Sequence, residues 1–172
     1  MIKILAVSDS HGNKDILNEL ALRYSNQVDH FVHCGDSELS SSDLIWGIMS
    51  TVMGNCDYDY QMNDEYRFQA GSKNVLVVHG HQHSVRSSIA GLKREAEQAN
   101  VSLVFYGHTH IAKAEQEEGI LFINPGSISQ PRGTLMEKTY CIVTLDDQTA
   151  TVTYYNDHHK EVVDLRKQFQ ML

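Results

Sequence analysis

Five short polar stretches hold side chains that bind metals or move protons: Ser8-Asp9-Ser10-His11-Gly12, Gly35-Asp36, Gly54-Asn55-Cys56-Asp57, His79-Gly80-His81 and Gly107-His108-Thr109-His110. In extended backbone, residues i and i+2 point the same way, so Asp9 and His11 are expected to converge on one point. A carboxylate oxygen beside an imidazole nitrogen is a ligand set for a first-row transition metal rather than for calcium or magnesium. One Asp-x-His tripeptide carries little weight alone, because motif matches need context. The context is position. Each stretch follows an apolar run, and each contains a glycine, which lets backbone approach a ligand closely. The chain has 10 histidines, and His79, His81, His83, His108 and His110 fall in two short clusters.

The elements that must position these groups are legible around them. Ile2-Lys3-Ile4-Leu5-Ala6-Val7 reads as a strand buried on both faces. Asn13 N-caps a helix running to about Ser25, with Ile16, Leu17, Leu20, Ala21 and Tyr24 at helical spacing. Asp29 to Cys34 is a second strand, so the chain opens with a βαβ unit and a parallel pair. That topology sets Asp36 beside Asp9 at the carboxyl ends of neighbouring strands, where open α/β sheets bind ligands. Ser40 to Ile48 reads as a weaker helix, Ser50 to Met53 as a third strand, and 58–65 as a polar loop. Tyr66 to Ala70 and Val75 to Val78 form a hairpin whose second arm ends at His79. Arg86 to Ala99 is a helix, and Ser102 to Tyr106 is a buried strand ending at Gly107. Lys113 to Glu117 with Gly119 to Ile123, and Thr139 to Leu145 with Thr149 to Tyr155, are further hairpins. The polar tail from Asp157 is expected to close as a short helix. With no repeat or linker, residues 1–172 read as one domain.

The ordered series Asp-x-His, Gly-Asp, Gly-Asn, His-Gly and Gly-His-x-His, each at a strand end, resembles the calcineurin-like metallophosphoesterases. Within them it resembles the small bacterial YfcE-type phosphodiesterases, from Asp9 through the Asn124-Pro125-Gly126-Ser127 loop. Seven ligands are too many for one tetrahedral zinc. They suit two metals roughly 3.5 to 4 Å apart, the arrangement used for phosphoester hydrolysis. The resemblance implies an α/β fold: a two-sheet mixed β-sandwich flanked by helices in four αββα layers, with the site on the rim of the sheets. It implies that Asp9, His11 and His110 hold one metal, that Asn55, His79 and His108 hold the other, and that Asp36 bridges them. Two divalent transition-metal ions per chain follow. Mn²⁺ is the first choice, and Ni²⁺, Fe²⁺, Co²⁺ and Zn²⁺ also suit the donors. The expected chemistry is in-line attack on phosphorus by a metal-bridging hydroxide, with the metals neutralising charge on the phosphoryl oxygens.

One departure matters. Many relatives carry Gly-Asn-His followed by an acid, and that histidine protonates the leaving group. Here Cys56 stands in its place, and a thiol of pKa about 8.5 replaces an imidazole near 6.5 poorly. Either good leaving groups are preferred or another acid serves, with His81 the first candidate; Asp57 is expected to orient a ligand from behind. Arg132, after the loop that lies over the site in this family, can pair with a substrate phosphate through its planar fork, and Asn124 joins it as a substrate contact. An exposed turn arginine is an equal alternative, and Arg86 is a weaker candidate for the same job. Tyr58 and Tyr60 can stack on an aryl or nucleoside leaving group, although covering the core edge is the favoured reading. His83 is a rim residue, His30 and His33 are packing or edge residues, and His158 and His159 are solvated tail. Cys34 and Cys141 are buried small hydrophobes.

Composition narrows the function class. Lys and Arg number 14 against 22 Asp and Glu, a formal charge of −8 with histidine neutral. Sequence-independent nucleic-acid affinity comes from phosphate neutralisation by basic side chains, so long nucleic acid is not the expected partner. No run approaches the roughly 18 to 20 apolar residues that span a bilayer, and the N-terminus lacks a signal-peptide pattern, so no membrane partner and a cytoplasmic location are expected. Three unpatterned cysteines fit a reducing compartment. The leading expectation is a metal-dependent phosphoric ester hydrolase acting on small phosphodiesters. The alternatives are a phosphomonoesterase on the same site, or a non-catalytic protein-interaction scaffold of the same fold, such as the retromer subunit. Met171 and Leu172, with the surface of the last hairpin, point to a homo-oligomer.

Overall fold

The computed structural model describes residues 1–172 and builds them into two stacked mixed sheets. β1 (Ile2–Val7), α1 (Lys14–Arg23), β2 (His30–His33) and β3 (Ser50–Thr51) open the chain, followed by the hairpin β4 (Glu65–Ala70) and β5 (Lys73–Val78). α2 (Ala90–Gln98), β6 (Leu103–Phe105), β7 (Lys113–Glu117) and β8 (Ile120–Asn124) complete the second sheet. β9 (Thr139–Leu145), β10 (Thr149–Asn156) and β11 (Lys167–Gln170) then return to the first. The sheets run β11-β10-β9-β1-β2-β3 and β4-β5-β6-β8-β7.

The apolar runs explain the layering. β1 is buried on both faces: Ile4 and Ala6 join Val75, Val77, Phe105, Ile123 and Tyr154 between the sheets, while Leu5 and Val7 meet Leu17, Leu20 and Tyr140 beneath α1. The second sheet repeats the pattern, with Leu76, Val104 and Phe122 packed against Leu92 and Ala96 of α2. Helix, sheet, sheet, helix is therefore the order of layers, as the family resemblance implies. α1 starts where Asn13 accepts from the Ile16 amide at 3.3 Å.

Six strands run parallel within their sheets: β1, β2 and β3 in the first, and β5, β6 and β8 in the second. Their carboxyl ends carry every stretch singled out in the sequence. The register fixes which ends meet. Val7 pairs with His33, and the pairing continues past the strands, the Asp9 amide donating to the Gly35 carbonyl at 3.1 Å and the His11 amide to that of Asp36 at 3.0 Å.

Several local expectations are corrected. The stretch 40–48 is a single 3₁₀ turn over Leu44–Gly47, capped by Asp43, with the Trp46 indole bonded to the Ser40 carbonyl. α2 begins at Ala90 rather than Arg86. The tail does not end in a helix: β11 pairs with β10, and Met171 is buried in the inter-sheet core, so it is not a surface for self-association. His159 is not solvated tail, because its imidazole is tied between Tyr140 and Glu19 at 2.9 and 2.6 Å. No helix is long and apolar enough to cross a membrane.

Candidate metal centre

Two carboxylates, Asp9 and Asp36, lie buried at the junction of the sheets with His79 between them. The His79 Nε2 is 3.1 Å from Asp9 Oδ1 and 3.2 Å from Asp36 Oδ2. The same Asp9 oxygen lies 3.1 Å from Nε2 of His110, which is in turn 3.2 Å from Nε2 of His11. The ligand atoms of Asp9, His11 and His110 lie within 4.8 Å of one another, as do those of Asp9, Asp36 and His79 and those of His11, Asp36 and Cys56. Asp9, from the first sheet, thus touches histidines delivered by β5 and β6 of the second.

The convergence does not come from strand alternation. Asp9, His11, Asp36, His108 and His110 all have positive φ, between 45° and 72°. The chain turns into the left-handed region at the end of each strand, a conformation that non-glycine residues seldom adopt and that recurs at functional sites. Asp9 and His11 therefore meet through a left-handed turn, which corrects the extended-backbone argument.

A layer of polar partners fixes the orientation of the imidazoles. The Nδ1–H of His110 donates to the Gln130 carbonyl at 2.6 Å and that of His11 to Glu38 at 3.0 Å, which turns Nε2 of both rings toward Asp9. His79 and His81 share a bond between their Nδ1 atoms at 3.1 Å. Asp57 accepts from the amides of Asp36, Gly54 and Glu38 at 2.8–2.9 Å, and so holds the turn that presents Asp36. Ser8 donates to Asp9 Oδ2 at 2.5 Å, and the His108 amide donates to the same oxygen at 3.1 Å. Behind the turns, fully buried His33 receives the Gly35 amide at Nδ1 and donates from Nε2 to the Ser10 hydroxyl at 2.9 Å. Two glycines leave the carboxylates room: a Cβ on Gly54 would collide with Asp36 Oδ1, and one on Gly107 with Ser8 and Asp9.

The electrostatics follow from this packing. Burial works against the Asp9 carboxylate, but bonds from His110 and His79 and the His79 charge overcome it and hold its pKa far below the carboxylate range. Asp36 is lowered likewise, by the same histidine and the Cys56 amide at 2.7 Å, against its own burial. Burial pulls His79 down, yet the two carboxylates raise it to about 9. His108 falls to about 4 through burial and the nearby charges of His79 and Arg86. Burial and the neighbouring Asp36, Glu38 and Asp57 charges push the Cys56 thiol up to about 11.

Over residues 2–148 the chain matches the family model described as the calcineurin-like phosphoesterase superfamily domain. The chain belongs to that superfamily. It is 39% identical over 165 residues to the probable metallophosphoesterase YsnB of Bacillus subtilis (strain 168), covering 96% of this chain and 97% of the other. A conserved Streptococcus pneumoniae TIGR4 protein, named as a predicted phosphoesterase, shares its structure with a TM-score of 0.95 at 36% identity, covering 98% of this chain and 97% of that one. The phosphoesterase YfcE of E. coli shares the fold, with a TM-score of 0.69 at 19% identity over 99% of this chain and 100% of that one.

The family is metal-dependent, and the donor set of this phosphoesterase fits a divalent ion. Two buried carboxylates face one another across a single imidazole that must carry a proton to satisfy both. A dication meets the same demand with more charge, and the oxygen and nitrogen donors suit a transition metal. The structure brings Asp9, His11, Asp36, His79 and His110 into contact, and the His108 ring stands 5.1 Å from that of His79. Asn55 is exposed beside them, its amide on Cys56 Sγ at 3.6 Å. Arg132 is exposed, but its backbone N–H donates to the His110 carbonyl at 3.0 Å. Asn124 is not open to a substrate: it is fully buried, and its side chain bonds the Gly107 carbonyl, the Thr109 hydroxyl and the Gly126 amide. Nor do Tyr58 and Tyr60 cover the core edge, each being 82% exposed. Glu38 lies outside the stretches named from the sequence, its only signal being a second acid two residues after Asp36, and Ser8 enters there only as the first residue of its stretch.

Proposed function

We propose that the protein is a dimetal phosphodiesterase acting on small diesters in the cytoplasm. The buried cluster of Asp9 and Asp36 with His11, His79 and His110 carries this reading. Asp9, His11 and His110 would hold one ion and Asn55, His79 and His108 the other, with Asp36 between them. Bound there, divalent ions such as Mn²⁺ supply Lewis-acid polarisation of the phosphoryl group and acidify water for attack on phosphorus.

The chain's own residues do the rest. Glu38 and Gln130 fix the ring orientations of His11 and His110, and Asp57 holds the Asp36 turn, so the donors are set before any ligand arrives. Arg132, anchored by its amide at His110, is the side chain proposed to pair with a non-bridging phosphate oxygen. The cleft beside the centre is lined by Glu38, Asp57 and Asp59 and by no lysine or arginine, which favours a monoanionic diester over a dianionic monoester. His81 is proposed to hand a proton to the leaving oxygen. Burial and the His79 charge lower its pKa, which makes it a readier donor but a less populated one. Three free cysteines, two of them buried, are consistent with a reducing compartment.

The test is reconstitution of metal-free protein with Mn²⁺, parallel assay on bis(p-nitrophenyl) phosphate and p-nitrophenyl phosphate, and a count of bound metal. Two ions per chain and diester turnover, both lost in Asp36→Asn and His79→Ala, are expected. Hydrolysis of neither ester, with variants that bind metal normally, refutes the reading; faster monoester turnover refutes the diester preference. A His81→Ala pH–rate profile that keeps both wild-type limbs removes His81 as the acid.

A further inference from the structure

Beside the metal centre lies a cleft of about 720 Å³ whose walls include Glu38, Cys56, Tyr58, Asp59 and Tyr60. It is continuous with the site: Glu38 bonds His11 at 3.0 Å, and Cys56 Sγ lies within 4.8 Å of the ligand atoms of His11 and Asp36. Tyr58 and Tyr60 stand largely clear of the protein, so packing does not explain them. The loop that carries them is braced. Asp59 accepts from the Ser41 amide at 2.7 Å and the Gln61 amide at 3.1 Å, its carbonyl accepts from the Met62 amide at 3.1 Å, and Met62 is buried. Three carboxylates, Glu38, Asp57 and Asp59, line this cleft, and no lysine or arginine does.

We infer that this cleft is a specificity subsite that takes one ester arm of the substrate, and that the arm it fits is an uncharged aromatic group such as an aryl or a nucleobase. The inference rests on the phosphoesterase reading, since the metal centre must hold the phosphoryl group while the arm lies in the cleft. Aromatic side chains carried on a braced loop beside a cleft can stack on another ring, and a tyrosine has only two rotatable bonds to order in doing so. The acidic lining sets the charge rule, because an arm bearing its own phosphate or carboxylate meets like charge at short range. Small aromatic diesters are thereby selected over bis-phosphorylated ones.

Phosphonates separate this claim from turnover, since their carbon–phosphorus bond is not hydrolysed. Dissociation constants of methylphosphonate, benzylphosphonate and 4-carboxybenzylphosphonate are measured by calorimetry on Mn²⁺-loaded wild type and Tyr58→Ala/Tyr60→Ala. Benzylphosphonate should bind wild type roughly fivefold tighter than methylphosphonate, as one ring-on-ring contact supplies. The para-carboxylate should erase that gain. In the double variant the two ligands with uncharged arms should bind alike, with methylphosphonate unchanged from wild type, which also reports an intact fold. Equal binding of benzyl and methyl ligands by wild type, or a benzyl advantage that survives the double substitution, overturns the subsite and leaves the metal-centre reading standing. Failure of all three ligands to bind overturns both.

Discussion

Two fully buried histidines, His79 in the site and His33 behind it, titrate in opposite senses and dominate how the metal-free protein responds to pH, with His108, lowered to about 4, adding to the acid side. The folded His79 pKa is raised to about 9 from an ordinary 6.5. Below pH 6.5 both folded and unfolded chains hold that proton, and its stabilisation is fully present. As pH rises from 6.5 to 9 the unfolded chain loses the proton while the folded chain keeps it, so stability falls until the folded group also deprotonates. The side chain is fully buried, so solvent screening does not discount the effect, which amounts to about 3 kcal/mol. His33 behaves in the reverse way. Burial lowers its pKa to about 4, against partial compensation from Asp9 and Asp36. Between pH 6.5 and 4 the unfolded chain gains a proton that the folded one refuses, and a comparable amount of stability is lost on the acid side.

Urea unfolding of protein kept metal-free with a chelator, measured at half-unit steps from pH 4.5 to 9.5, should therefore give a stability maximum near pH 6.5. His79→Gln should remove most of the alkaline limb and leave the acid limb in place. Mn²⁺ should flatten the alkaline limb in wild type, because the charge that His79 supplies between Asp9 and Asp36 is then supplied by the ion. A wild-type curve that is level from pH 6.5 to 9, or a variant that keeps the full alkaline loss, refutes the claim that a protonated His79 holds the two carboxylates together.

Other perturbations probe separate parts of the structure. Asp57→Asn leaves backbone donors of Asp36, Gly54 or Glu38 facing an amide group; it should cost about 3 kcal/mol in urea unfolding and weaken metal binding roughly 10- to 100-fold by titration. The Cys56 thiol, pushed up to about 11, should react with iodoacetamide at pH 7.5 on the order of 100-fold more slowly than an ordinary free cysteine in chelated protein, as peptide mass spectrometry would show. Met171→Ala opens a void in the inter-sheet core and should cost about 2 to 4 kcal/mol by thermal or urea unfolding with metal binding intact. His108 holds a φ of 72°, which asparagine tolerates better; His108→Asn should raise metal-free stability by up to about 1 kcal/mol while lowering metal affinity.

The centre was legible in the sequence because each of its pieces is local. A buried strand is a run of apolar residues, and the residue that follows it is fixed at the rim, so the apolar pattern alone sets Asp9, Asp36, His79 and His108 at successive strand ends. What was not legible depends on partners far apart in sequence. β11 reads as polar tail because an edge strand turns few residues inward, here Phe169 with Met171 after it, and nothing local announces its pairing with β10. His159 gained its place from Tyr140 and Glu19, the second 140 positions away. Asn124 lies at a strand end like the ligands, and only the bonds to Gly107, Thr109 and Gly126 show that its amide is used up inside the fold. The stretch 40–48 has helical spacing, yet helical packing would gain little, since Leu44 and Ile48 stay exposed and the Trp46 indole is drawn to the Ser40 carbonyl.

The left-handed turns explain why so compact a cluster needs so large a frame. A strand that simply continued would send alternate side chains to opposite faces and carry each further from the neighbouring strand's end. Turning at once into positive φ keeps Asp9 and His11 beside Asp36 of the neighbouring strand and brings His110 of the facing sheet onto the Asp9 carboxylate. Each such turn costs of order 1 kcal/mol or more for a residue with a Cβ. The turns persist because register bonds such as Asp9 to Gly35 and Gly107 to His79 lock the backbone on either side. Asp57, Ser8 and His33 then satisfy the polar groups that the turns leave behind. Glycine could adopt the same backbone without strain, but at these positions it would carry no ligand. The strain is thus a consequence of placing carboxylates and imidazoles where only glycine is comfortable, and it marks the residues that the site, rather than the fold, requires.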